Sequence, residues 1–226
     1  MKTFNKQGGF TLVEVTTVLV IGGLILGGAM KGQELIEAGR IKSAVAQLTS
    51  IAVAHSAYVE RYQALAGDDK TADTRGAAWA GTKAGDADGV IEGVLTDTFA
   101  VTSTATSGTE TAAFFQHLRM AGFLSGDLTA TGAAVLPVNA WGGRTAIANT
   151  TQIQGRSSAS NQLVVCLSSV PEQSALSIDK QLDDGLAHGG NLRATSGTDR
   201  YAQTAPTTGT TTYANTGGFY TICRDL

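Results

Sequence analysis

Glu14 is the single ionisable residue between Phe10 and Met30, a run otherwise made of apolar, glycine, alanine and threonine residues. A carboxylate inside such a run costs about 2.5–3.5 kcal/mol on insertion scales, so it marks function by default. The chemistry it offers is charge pairing, which is strong where the dielectric is low. A second group of acids lies in Gly85-Asp86-Ala87-Asp88-Gly89-Val90-Ile91-Glu92. Asp86, Asp88 and Glu92 offer hard oxygen ligands around a turn-making glycine, which suits calcium. The third Asp/Asn position and the spacing of a terminal bidentate Glu are missing, and a polar Asp-Gly turn before a strand explains the same residues. Asp183-Asp184-Gly185 is a further acidic turn, read as a helix end. Cys166 and Cys223 are the only cysteines, and His55, His117 and His188 the only histidines. No phosphate-cradling loop or metal-binding His pair occurs, and no nucleophile–base arrangement follows from spacing, so an enzyme is not expected. No cofactor is required by these residues, with calcium at the acidic loop as the open option.

The elements that position these groups follow from periodicity. Roughly 20 apolar residues at about 1.5 Å rise span a bilayer's hydrocarbon core. Lys2 and Lys6 precede the run, which predicts a cytoplasmic amino terminus and a carboxyl-terminal domain outside. The helix is expected to continue with a 3–4 spacing through Ile41, Val45, Leu48, Ala52, His55, Val59 and Tyr62, flanked by Ile51, Tyr58 and Leu65. Leu65-Ala66-Gly67-Asp68 then ends it, with Gly67 as the cap. Gly23 and Gly27, and Gly28 and Gly32, have the spacing that lets neighbouring membrane helices approach closely.

Beyond the helix, some 160 residues suffice for one domain. A short helix is expected over Thr111–Leu124 and a strand over Leu163–Leu167. A second helix opens at Pro171-Glu172 and stops at Gly185, and a last strand covers Phe219–Cys223. Ala100–Thr111 and Thr204–Gly218 read as Thr/Ser/Gly-rich loops. The class is therefore α+β, a long amino-terminal helix on a small sheet. Outside the cytoplasm the lone cysteine pair suggests one disulfide, worth about 4 kcal/mol in the chain-entropy model; two buried free thiols are the alternative. Loss of Lys2 and Lys6 would move the formal charge from −3 to −5, which argues against a nucleic-acid surface.

The stretch Lys6-Gln7-Gly8-Gly9-Phe10-Thr11-Leu12-Val13-Glu14 resembles the processing site of type IV pilins and type II secretion pseudopilins. The resemblance implies that a prepilin peptidase cuts between Gly9 and Phe10 and methylates the new amino terminus. It also implies that Glu14 governs assembly with other pilin subunits through an inner-membrane platform and an ATPase. Phe115-Gln116-His117-Leu118, Pro137-Val138-Asn139-Ala140-Trp141-Gly142-Gly143 and Ile178-Asp179 with Asp183-Asp184-Gly185 are similar to segments of prepilin-like heads. The expected organisation is a leader at 1–9, a transmembrane or filament-core helix at 10–30, its amphipathic continuation at 31–66 and an extracytoplasmic head at 67–226. The subunit would start in the inner membrane and end in a periplasmic or extracellular filament. Many major pilins carry a proline near the end of the first apolar stretch; here the prolines are Pro137, Pro171 and Pro206. A pilus subunit, a secretion pseudopilin, a minor or tip subunit and a membrane-anchored binding module that never polymerises all remain open.

Overall fold

The computed structural model describes residues 9–91, 99, 109–130, 132–149, 154, 162–197, 212–214 and 216–226. Helix α1 (Leu12–Tyr62) runs for 51 residues. The chain divides into two compact units, Met1–Gly39 and Arg40–Leu226, with the division inside α1. In the first unit the large apolar side chains of the helix are exposed, with Leu12 at 81% and Leu35 at 66%. That helix is long and apolar enough to cross a membrane. Its glycines do not break it, since in lipid an unwound turn would leave backbone groups unsatisfied.

In the second unit α1 buries Ala44, Leu48, Ile51, Ala54 and Tyr58. The expected flankers Ile51 and Tyr58 are thus the centre of the buried stripe, while Val45, Ala52 and Val59 are only partly buried. The stripe is rotated because Ala44 and Ala54, too small to register as core positions in a sequence, are buried. The helix also ends early. Gln63 takes φ 53°, and its N–H bonds to the Val59 carbonyl at 2.9 Å, so the left-handed stop lies four residues before Gly67. Gly67 serves another purpose: at φ +97°, a Cβ there would lie 2.6 Å from the Glu110 carbonyl oxygen.

Helix α2 covers Thr109–Met120, so residues 109–111 are helical and not loop. It stops before Leu124 because Gly122 turns left-handed, with Phe123 N–H on the Leu118 carbonyl and Gly122 N–H on that of Arg119, both at 2.9 Å. Among the described residues four antiparallel strands follow: β1 (Thr145–Asn149), β2 (Leu163–Pro171), β3 (Leu192–Gly197) and β4 (Phe219–Asp225), in spatial order β1-β2-β4-β3. β2 is buried continuously from Leu163 to Val170, which is why it reads as an unbroken apolar run. A register shift at Ser168–Ser169 interrupts its pairing with β4. Helix α3 (Glu172–Leu182) follows at once, with Pro171 at its N-cap and Ala175 and Ile178 facing the core. One core joins the α1 stripe, Phe114, Phe115 and Leu118 of α2, Ala175 and Ile178 of α3, and the sheet. The chain is α+β, a long amino-terminal helix with a small antiparallel sheet. Of the expected loops, residues 100–108, 204–211 and 215 lie outside the described residues.

Candidate functional site

Thr11 stands immediately before α1, and Glu14 is three residues on. The Thr11 hydroxyl accepts the Glu14 N–H at 3.3 Å, while the Glu14 carboxylate accepts the Thr11 N–H at 2.8 Å and its hydroxyl at 2.9 Å. This is a reciprocal capping box, which satisfies donors that the first helical turn leaves orphaned. Its sequence signal is Thr-x-x-Glu ahead of an apolar run. Thr16 and Thr17 return their hydroxyls to the Val13 and Glu14 carbonyls at 2.9 Å, so the polar groups near this end are held internally. Gly9 and Phe10 are exposed, Phe10 at 87%. At the far end of the apolar run Lys31 pairs with Glu34 at 2.6 Å, both well exposed, a contact worth little in stability.

A Cβ placed on Gly22, Gly23, Gly27, Gly28 or Gly32 would meet nothing within 4 Å. No contact among the described residues requires a glycine at these positions.

Asp86 accepts the Asp88 N–H at 3.1 Å. Its carboxylate lies with those of Asp68 and Glu110, all within 4.8 Å of one another, whereas Glu92 falls outside the described residues. Asp88 accepts the Val90 N–H at 2.7 Å in a local turn. Asp68 already accepts the N–H groups of Ala87 (2.6 Å) and Gly89 (2.8 Å), and Glu110 accepts that of Asp86 (3.3 Å). These acids fasten the 85–90 turn to the head; they also make a weak calcium candidate. The partners of Asp86 come from 18 residues before it and 24 after it, a distance that no local motif reveals. Asp179, Asp183 and Asp184 form a second group. Asp179 accepts Tyr213 Oη at 2.6 Å and the Gly185 N–H at 3.1 Å, Asp183 the Leu192 N–H and Asp184 the Leu186 N–H, both at 2.8 Å. Burial pushes the Asp179 carboxyl up, and the neighbouring Asp183 and Asp184 add to that.

Cys166 and Cys223 face each other across β2 and β4 and are joined by a disulfide, both fully buried. The three histidines stand apart. His188 is exposed, His55 rests against Phe114 with ring centroids 5.4 Å apart, and His117 is buried.

Sequence reasoning missed a polar cluster at the end of α1. Asp69, 2% exposed, accepts Tyr58 Oη at 2.7 Å, the Thr71 N–H at 2.9 Å, Thr71 Oγ1 at 2.8 Å and the Arg75 guanidinium. Arg75 lies over the Tyr62 ring, 4.1 Å from its centroid. Burial pushes the Asp69 carboxyl up, but the bonds from Tyr58, Thr71 and Arg75 outweigh it and hold the group below the usual carboxylate range. Burial and the bond to Asp69 push the Tyr58 phenol up. The groups are spread over 18 positions without a motif, and only the fold assembles them.

No curated protein matches the chain. A family model does match residues 4–30, the prokaryotic N-terminal methylation motif. An apolar helix that begins at Leu12, capped by Thr11 and Glu14 just after Gly9-Phe10, is the physical form of that match. The chain carries the N-terminal methylation motif of type IV pilins and pseudopilins, and it heads an α+β protein with a long amino-terminal helix.

Proposed function

We propose that this chain is a structural subunit of a type IV pilus-like filament. It begins as a single-pass inner-membrane protein with residues 1–9 on the cytoplasmic side. Prepilin peptidase cuts between Gly9 and Phe10 and methylates the new terminus. An assembly platform with its ATPase then moves the subunit into a filament, with residues 10–30 in the filament core, 31–66 continuing that helix and 67–226 on the surface. The observation that carries this reading is the matched motif at the head of a helix whose large apolar side chains from Leu12 to Ile36 are exposed.

The roles of individual residues follow from physics. Cutting at Gly9 frees an ammonium beside a carboxylate in a medium of low dielectric, where opposite charges attract strongly. Glu14 lies about one helical turn from Phe10, with its carboxylate turned onto Thr11. A staggered neighbour's amine can approach that carboxylate, and the pair sets the register between subunits. The glycines without intrachain neighbours then let core helices approach one another.

The test is a Glu14→Leu variant. It should be cut at Gly9 as before yet fail to enter filaments; normal assembly would overturn the role of Glu14. A second reading is a type II secretion pseudopilin or a minor subunit. It is favoured by the uninterrupted α1, which contains no proline, unlike many major pilins.

A further inference from the structure

We propose that His117 is an acid-sensitive latch that holds the segment Gly67–Ile91 on the head, and that protonation of its ring releases that segment. The ring is fully buried on α2. Nδ1 accepts the Gly67 N–H at 2.9 Å, and Nε2 lies 2.7 Å from the Lys83 carbonyl oxygen. A backbone N–H can only donate and a carbonyl can only accept, so both bonds form together in one state alone: a neutral imidazole with its proton on Nε2. A second proton, on Nδ1, would set two donors face to face and leave the Gly67 N–H without a partner. It would also place a charge in a site closed to water.

Both grips of the latch fall in the same stretch of chain. Gly67–Ile91 contains no strand, and its only helical turns are two short 3-10 turns at Ala72–Thr74 and Ala77–Trp79. It depends on ties to other elements: Tyr58 of α1 to Asp69, Glu110 of α2 to the Asp86 N–H, and the two bonds of His117. Facing the imidazole are Tyr58 of α1, stacked at 6.0 Å, Trp79 at 6.3 Å, and the charges of Asp69 and Arg75 from the segment itself. Asp69 favours a protonated ring and Arg75 opposes it. Burial, the largest influence, holds His117 below the ordinary histidine range despite the Lys83 bond and Asp69.

The direction of the pH effect follows. A histidine titrating lower in the native state than in the open one contributes stability that is complete above about pH 6.5. That contribution is lost as pH falls from there toward the native value, with opening favoured about tenfold more per pH unit. His55 is also held low by burial, so a variant must separate the two.

The experiment is hydrogen–deuterium exchange on the full chain in detergent micelles at pH 7.5 and pH 5.5, corrected for intrinsic rates. Peptides within Gly67–Ile91 should lose about tenfold in protection at the lower pH. Peptides from β2 should not. In His117→Gln the amide offers an acceptor and a donor but does not ionise, so the loss should vanish. No loss in the unaltered chain, or the same loss in His117→Gln, would overturn the latch. Should the variant fail to fold, the imidazole 15N shifts of the unaltered chain decide. A neutral ring protonated on Nε2 at pH 7.5, titrating below about pH 6.5, supports the latch. A charged ring or one protonated on Nδ1 at that pH overturns it.

Discussion

Replacing Asp69 with Ala should be among the most damaging single changes in the head. The carboxylate accepts four hydrogen bonds from three residues, and its removal strands the Tyr58 hydroxyl, on a side chain with no exposure, and the Arg75 guanidinium. Breaking a buried ion pair by deleting one partner costs about 3–5 kcal/mol. The Arg75 side chain keeps 21% of its exposure and can turn toward water, which places the loss near the lower end, about 3 kcal/mol. That is a large share of the roughly 5–15 kcal/mol that stabilises an ordinary domain. Tyr58→Phe removes one bond to a charged acceptor and should cost about 1.5–3 kcal/mol. The double variant should lose less than the two single losses combined, because the residues share the cluster. The assay is urea unfolding of the full chain in mild detergent, followed by tryptophan emission. Trp79 reports the cluster directly, since its ring meets Tyr62 edge-on at 5.7 Å. Asp69→Asn adds a pH test. A carboxyl held low in the native state contributes stability that is complete above its unfolded pKa near 3.9 and lost as pH falls through the lower native value. The Asn variant should lack that part of the acid dependence. An Asp69→Ala loss below about 1 kcal/mol, or strict additivity with Tyr58→Phe, would refute the reasoning.

Three further outcomes are expected. Replacing both Cys166 and Cys223 with Ala should lower stability by about 4 kcal/mol, read as a shift in urea midpoint, because the bond closes a separation of 57 residues. Gly67→Ala should lower the melting temperature, since the residue sits at φ +97° and a Cβ would press on the Glu110 carbonyl; an unchanged melt would show that the two segments separate freely. Gly27→Leu should leave the melting of the head unchanged while reducing filament yield, because among the described residues nothing would lie within 4 Å of a Cβ there; equal yield would remove the glycines from the assembly account.

The parts of this protein legible in the sequence were those set by local rules or by solvent. The apolar span, Glu14 within it, β2 as an unbroken apolar run, α3 after Pro171 and β4 at the carboxyl end each follow from periodicity or punctuation. β1 and β3 were not legible. Thr145–Asn149 and Leu192–Gly197 are short and rich in Ala, Thr and Ser, and they are strands because β2 and β4 offer them unpaired edges. The end of α1 was misplaced because Gly67 has the right residue type for a cap, yet it serves a close approach to α2, and Gln63 takes the left-handed turn instead. The grouping of Asp86 with Asp68 and Glu110 was not legible, because tertiary packing brings these distant acids together. His117 was legible only as part of Phe115-Gln116-His117-Leu118. Its role depends on Gly67 and Lys83, 50 and 34 residues away.

The central claim is that this chain is processed at Gly9–Phe10 and built into a filament. Its most direct test is intact mass spectrometry of the protein sheared from cells and recovered in a high-speed pellet. The account predicts a chain that begins with methylated Phe10, with the Cys166–Cys223 disulfide intact. A cut chain that stays in the membrane and periplasm would move the weight to the pseudopilin or minor-subunit reading. An uncut chain beginning at Met1 would contradict the account and leave a membrane-anchored binding module in its place.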